Sequence, residues 1–151
     1  MSVININNKH LTTRDMRFFK AAQKVSFDSD HGRGFKVGCV AVLGNKIISS
    51  GHNAEKTSPL QMKYAKYYPK DKLRVNKYEP KYHAEVDCLH YIIDHDEIPW
   101  NKVKLYIFRS CKSGVEGLTR PCTCCMRLIK DLGIKHIYYS TNAGYSHEIL
   151  L

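Results

Sequence analysis

The chain has 151 residues, of which 43% are hydrophobic and 25% are charged, and this length and composition are typical of one globular domain, residues 1–151, with one core. No stretch approaches the roughly 18 consecutive apolar residues of a membrane helix, and residues 1–14 lack the basic-then-apolar layout of a signal peptide. The net charge of +10 favours phosphate-bearing partners, although a basic surface without a specific partner would have the same charge.

The first half of the chain predicts one helix and one β-hairpin. Apolar residues recur with helical spacing over residues 13–25, which predicts an amphipathic helix, whereas residues 1–11 show no clear periodicity. Residues 36–42 and 47–51 are rich in β-forming side chains. The Gly44-Asn45 pair between them is typical of a tight turn, so we expect an antiparallel pair of strands.

A basic insertion at about residues 56–81 is the most unusual segment. It carries eight Lys or Arg residues against two acidic ones, a net charge of +6, and five of the ten tyrosines lie between Tyr64 and Tyr82. Interleaved cations and aromatic rings suit a single-stranded nucleic acid, because cations bind phosphates and rings stack on bases. The candidate strand-binding residues are Lys63, Lys66, Lys70 and Lys72. A solvated insertion whose tyrosines pack on the core would have the same composition.

The second half of the chain predicts alternating helices and strands. Helices are expected at residues 83–94 and 122–132, each with a stripe of apolar side chains. Strands are expected at residues 103–109, 134–140 and 145–150. A strand, a helix and a further strand joined by a right-handed crossover predict helices packed on a sheet.

Two short motifs open these helices and carry candidate metal chemistry. His83 and Glu85 are two positions apart, so on a helix their side chains diverge by roughly 200°; one can bind a metal while the other reaches a water or substrate. Cys122 and Cys125 are three positions apart and share one helix face. Three such ligands leave the fourth position of a zinc ion open, which is the catalytic pattern. A structural zinc site or a redox Cys-x-x-Cys are the alternatives.

The six cysteines favour a metal site over a disulfide framework. Three of them crowd into residues 122–125, and Cys39 and Cys88 lie in apolar periodic segments. Because disulfides are rare in reducing compartments, this distribution fits a cytoplasmic protein.

Together, His83-Ala84-Glu85 and Pro121-Cys122-Thr123-Cys124-Cys125 resemble the signature of the zinc-dependent cytidine/deoxycytidylate deaminase superfamily, which is H-x-E followed by P-C-x-x-C. The resemblance implies a three-layer α/β/α fold with a mixed five-stranded sheet flanked by helices. It also implies one zinc ion per chain, bound by His83, Cys122 and Cys125, with Glu85 as the catalytic acid and base. A structural zinc site would have no use for Glu85.

The resemblance further implies substrate contacts. Asn53, at the end of the predicted hairpin, matches an asparagine that contacts the sugar or base in the family, although it could equally be a turn-forming residue. The backbone N–H of Ala84 is placed to hold the carbonyl of a cytosine.

The implied reaction is hydrolytic conversion of a cytosine base to uracil with release of ammonia, on a deoxycytidylate-like nucleotide. One alternative is deamination of cytosine, or of adenine, within single-stranded DNA or RNA. A non-enzymatic alternative is a zinc-stabilised nucleic-acid-binding module. Residues 126–139 resemble the deoxycytidylate-type and tRNA-type members, whereas the short closing hairpin is more like the nucleoside type. The sequence is compatible with a homo-oligomer but does not fix the oligomeric state.

Overall fold

The computed structural model describes residues 3–7, 11–30, 35–68, 80–111 and 116–150. The strands in these ranges are β1 (Val3–Asn7), β2 (Phe35–Leu43), β3 (Lys46–His52), β4 (Val103–Cys111), β5 (Glu116–Gly117), β6 (His136–Thr141) and β7 (Gly144–Leu150). The α-helices are α1 (Thr13–Ser26), α2 (Pro59–Lys63), α3 (Ala84–His90) and α4 (Thr123–Leu132), and short 3-10 turns lie at Ala65–Tyr67 and Trp100–Lys102.

The strands form one mixed sheet in the order β1-β7-β6-β4-β2-β3, with the two-residue β5 paired to β4. Strands β4 and β6 are parallel, and α4 makes the crossover between them. The other pairings among the described strands are antiparallel. The five long strands β3, β2, β4, β6 and β7 are the expected mixed five-stranded sheet, so this prediction is confirmed.

Side-chain alternation along the central strands sorts the core into two layers. On one face Cys39, Ala41, Leu105 and Ile107 pack with residues of α3 and α4. On the other face Val40, Val42, Tyr106 and Phe108 pack with residues of α1. The sheet therefore lies between α1 on one side and the motif-bearing helices on the other, which is the expected three-layer arrangement.

Two elements differ from the sequence-based expectation. Strand β1 pairs with the edge strand β7 in register from Val3 with Leu150 to Asn7 with Ser146, where no element was predicted. The first motif helix ends at His90, and the chain continues in turns through Asp94, whereas the apolar stripe predicted a helix over residues 83–94. The closing hairpin of β6 and β7 forms as expected.

Close contact with β3 fixes where α3 begins. A Cβ at Gly51 would overlap the backbone of Asp87 and Cys88, so only glycine allows this approach. Two hydrogen bonds join the same elements: the backbone N–H of His52 donates to Oδ2 of Asp87 over 2.9 Å, and the hydroxyl of Ser49 donates to the carbonyl of Cys88 over 2.6 Å. These contacts set the position of the residues at the N-terminus of α3.

None of the helices in the described ranges has the length and apolar character needed to cross a bilayer.

Candidate active site

Helices α3 and α4 begin at the same place beside the sheet, and their N-cap residues are His83 and Cys122. Both N-cap residues have extended backbone angles, so each chain turns into its helix at that residue. The thiol of Cys122 accepts a hydrogen bond from the backbone N–H of Cys125 over 3.5 Å, and this cap brings the two cysteines of the second motif together.

The side chains of His83, Cys122 and Cys125 converge, and their ligand atoms all lie within 4.8 Å of one another. Nδ1 of His83 is 3.5 Å from Sγ of Cys122 and 3.3 Å from Sγ of Cys125. Zinc bond lengths and a tetrahedral angle require an N···S separation of about 3.6 Å. One imidazole and two thiols at these separations fit a zinc ion. Cys124 is buried on α4 but does not belong to this group.

The thiols of Cys122 and Cys125 shift each other's pKa in opposite directions. The pKa of the Cys122 thiol is lowered to about 4. The hydrogen bond with Cys125 and the interaction with the His83 imidazole lower this pKa by more than burial raises it. The pKa of Cys125 is raised by its hydrogen bond with Cys122 and by burial. A second thiolate beside the first is costly without a cation, so this donor set favours a divalent metal that stabilises both.

Glu85 lies in the first turn of α3, and it is only 5% exposed. Burial is the largest cause of the raised pKa of its carboxyl, and the neighbouring His83 imidazole acts in the opposite direction. A buried carboxyl group with a raised pKa binds a proton more readily than an exposed one, which suits it to take up and release a proton. Glu85 does not belong to the convergent ligand group of His83, Cys122 and Cys125, which leaves it available for such proton transfer.

A cavity of about 350 Å³ opens over this group. Its polar lining residues include Asn53, Lys81, His83, Glu85, Arg109 and Arg120. The volume suits a small ligand held by a few polar groups. Leu118 and Thr119, from the loop before the second motif, also line it, so that loop contributes to the wall as well as connecting β4 to α4.

Asn53 is 6% exposed and lines the cavity. Its Oδ1 accepts from the backbone N–H of Val37 over 2.9 Å, so its amide N–H2 remains the donor end. The residue thus joins the end of β3 to β2 and also reaches the cavity wall. Ala84 is buried and lines the cavity between His83 and Glu85.

Three cations in the cavity wall were not identified from the sequence. Lys81 is paired with Glu55, and Arg120 with Glu148. Arg109 is different: its guanidinium lies 4.6 Å from the centre of the Phe35 ring and contacts the carbonyl of Leu118. No carboxylate pairs with Arg109 among the side chains that the structure describes, which do not include those of residues 112–117, and its buried Nε has no hydrogen-bond partner. Arg109 is therefore suited to bind an anion.

The two candidate strand-binding lysines that the structure describes, Lys63 and Lys66, are not among the residues that line this cavity. Lys63 and Lys66 are exposed and lie near the rings of Tyr64 and Tyr67, whereas Lys70 and Lys72 lie outside the described residues. The hydroxyl of Tyr64 donates to Asp131 on α4 over 2.9 Å. These contacts dock part of the basic insertion on α4.

Comparison with known sequences agrees with this geometry. A sequence model of the family described as the cytidine and deoxycytidylate deaminase zinc-binding region matches residues 12–141. The chain belongs to this family. The match spans both motifs of the deaminase family, the hairpin of β2 and β3, and strands β4 and β6. Among curated proteins, none matches the chain.

Solved deaminase structures share the fold. The dCMP deaminase of the cyanophage S-TIM5 in complex with dCMP and dUMP is 20% identical, with a TM-score of 0.58 over 87% of this chain and 85% of that one. Its apo form is 19% identical, with a TM-score of 0.56 over 87% and 86%. The cytidine deaminase of Burkholderia pseudomallei is 18% identical, with a TM-score of 0.54 over 85% and 83%. At these identities the likeness shows the fold.

Proposed function

We propose that this chain is a zinc-dependent hydrolytic deaminase that converts the cytosine base of a deoxycytidylate-like nucleotide to uracil. The observation that carries the proposal is the convergence of His83, Cys122 and Cys125 within 4.8 Å, beside a buried glutamate in one cavity. A structural zinc site would be closed by a fourth protein ligand, and the described residues offer none in this group. We infer one zinc ion per chain.

Zinc bound by these three residues would supply a Lewis acid that activates a water molecule at neutral pH. Glu85 would carry both protons of that water. One goes to N3 of the cytosine as the water oxygen bonds to C4, and the other goes to the amino group, which leaves as ammonia when the C4–N4 bond breaks. Uracil keeps the oxygen and the proton on N3, so one carboxyl group serves as base and then as acid.

Two further residues would orient the base and sugar. The backbone N–H of Ala84, next to Glu85 in the cavity wall, would donate to the cytosine carbonyl. The amide N–H2 of Asn53 would donate to the sugar or base, because its Oδ1 already accepts from Val37. Both assignments rest on the position of these residues in the cavity lining.

The preference for a nucleotide over a nucleoside rests on Arg109. A guanidinium whose buried Nε has no hydrogen-bond partner among the described residues, and which lies against Phe35 in the cavity wall, is suited to bind a phosphate through charge-assisted hydrogen bonds. Such a bond contributes about 1.5–3 kcal/mol, which corresponds to roughly a 10- to 150-fold preference for the phosphorylated substrate.

The experiment compares dCMP, dCTP, deoxycytidine and a short single strand side by side, with the wild type and Arg109→Gln. We expect the highest kcat/KM with dCMP, and a loss of roughly 10- to 100-fold in the variant for dCMP but not for deoxycytidine. Arg127→Gln, on the exposed side of α4, is the matched control. Equal losses on both substrates, or a preference for deoxycytidine in the wild type, would contradict the role of Arg109.

A further inference from the structure

Gln61 on α2 is completely buried, with 0% of its surface exposed. Burial of a side-chain amide is costly unless both of its ends form hydrogen bonds. Its neighbours on the same short helix, Met62 and Lys63, are exposed, so the burial is specific to this position. The neighbouring Ser58 is also fully buried and caps the helix by accepting from the backbone N–H of Gln61 over 3.0 Å.

Both ends of the Gln61 amide contact the candidate zinc ligands. Its Nε2 donates to Sγ of Cys125 over 3.7 Å, and its Oε1 accepts from the backbone N–H of His83 over 3.4 Å. The backbone N–H can only donate, so it must face the carbonyl oxygen of the amide. The N–H2 end then faces the sulfur as a donor, which is favourable when that sulfur is a thiolate.

We propose that Gln61 is a positioning residue of the zinc site, which orients the sulfur of Cys125 and fixes the start of α3 at His83. One side chain thus joins a ligand on α4 to the N-cap residue of α3. The N–H···S contact would stabilise negative charge on the sulfur and orient it toward the metal. Groups that orient metal ligands in this way typically contribute 10- to 100-fold in metal affinity or activity.

This role also gives a function to the start of the basic insertion. Ser58 and Gln61 lie in the segment whose composition predicted a strand-binding or solvated surface, yet both are fully buried. The backbone N–H of Ser58 donates to the carbonyl of Pro80 over 2.7 Å, so both ends of the insertion are tied together just before the first motif. The described start of the insertion thereby lies against the ligand thiol of Cys125 through Gln61.

The test measures zinc affinity by competition with a chelator, in the wild type, Gln61→Leu and Gln61→Glu. Leucine removes both contacts at similar volume, and glutamate keeps an acceptor for His83 but places a carboxylate against the sulfur. We expect both variants to bind zinc 10- to 100-fold more weakly than the wild type, with a shifted sulfur-to-metal absorption band after cobalt substitution. Met62→Ala, an exposed neighbour, should match the wild type.

The inference rests on the zinc site of the proposed function, and the outcomes of this test distinguish a failure of the zinc site from a failure of the role of Gln61. A wild type that binds no zinc would overturn the zinc site and this role together. Zinc-binding variants with wild-type affinity and an unchanged cobalt spectrum would overturn only the role of Gln61, which would then be a core residue. Thermal unfolding and circular dichroism of the same samples monitor the fold, and Gln61→Met, which keeps the length of the side chain, replaces any variant that does not fold.

Discussion

Glu85 shows how a spacing of two positions separates metal binding from proton transfer. His83 is the N-cap of α3 and turns toward Cys122 and Cys125, whereas Glu85 lies within the first turn and faces the cavity. The carboxyl group is buried, which raises its pKa, and it does not belong to the ligand group. If Glu85 transfers protons, a substitution of Glu85 should therefore leave zinc binding unchanged and abolish most of the deaminase activity.

Glu85→Gln should keep the zinc content and the unfolding temperature of the wild type and lose activity by more than about 10²-fold, the usual contribution of a general acid–base group. Metal analysis, thermal unfolding and the initial rate of dCMP deamination measure the three quantities. Glu97→Gln, at an exposed position, is the control and should retain full activity. Loss of zinc from Glu85→Gln would instead make Glu85 a ligand.

At the scale of single residues, the sequence predicted those candidate site residues that belong to a recognisable motif. The ordered histidine, glutamate and cysteine motifs identified the side chains that the structure brings together. Gln61 and Arg109 have no such signature, because a glutamine among lysines and tyrosines is typical of a surface and an arginine at a strand end is commonplace. Their significance comes from burial and partners, which depend on the tertiary structure.

At the level of elements, the start of α3 depends on a glycine in the neighbouring strand. A methyl group at Gly51 would overlap the backbone of Asp87 and Cys88, so α3 would have to move away from β3. Because His83 and Glu85 sit at the N-terminus of that helix, a small displacement there would alter the active-site geometry.

Gly51→Ala should lower the free energy of unfolding by about 1–3 kcal/mol, the usual cost of overpacking, and should weaken zinc binding. Chemical denaturation and chelator competition measure the two effects. Ser50→Ala, at the exposed neighbouring position of β3, should change neither. An alanine variant of Gly51 with wild-type stability and zinc affinity would show that the close approach of α3 is not required.

Strands and helices with regular periodicity were predicted well, since alternation in β2 and β4 and the apolar stripe of α4 follow directly from which face is buried. Strand β1 was missed because it is short, although Ile4 and Ile6 alternate with asparagines. Its pairing with β7 joins the two ends of the described chain, and such long-range contacts are invisible in a local pattern. The end of α3 at His90 was not predicted, because the apolar stripe in the sequence continues beyond that residue.

For the molecule as a whole, the net charge of +10 does not by itself select a partner. In the described part of the basic insertion, Tyr64 bonds to Asp131 and the ring of Tyr67 lies 5.0 Å from the guanidinium of Arg127. Rings engaged with α4 are less open to bases, so these contacts favour a docked insertion with solvated lysines over a strand-binding track.

We therefore expect single strands to compete weakly with dCMP, and deamination of dCMP to depend only slightly on salt. If the insertion made several phosphate contacts with a single strand, its affinity for the strand would fall by about 0.7 log units per contact for each tenfold rise in salt concentration. The measurement is strand affinity against salt for the wild type and for the combined Gln variant of Lys63, Lys66, Lys70 and Lys72. A steep slope that this variant flattens would favour the polynucleotide substrate instead.

The most direct test of the central claim is deamination of dCMP by the same protein with and without zinc. We predict about one zinc per chain, release of ammonia with formation of dUMP, loss of activity when zinc is removed by a chelator, and recovery when zinc alone is returned. Protein that binds zinc in this ratio but releases no ammonia from dCMP or deoxycytidine, or that is equally active after the zinc is removed, would contradict the account.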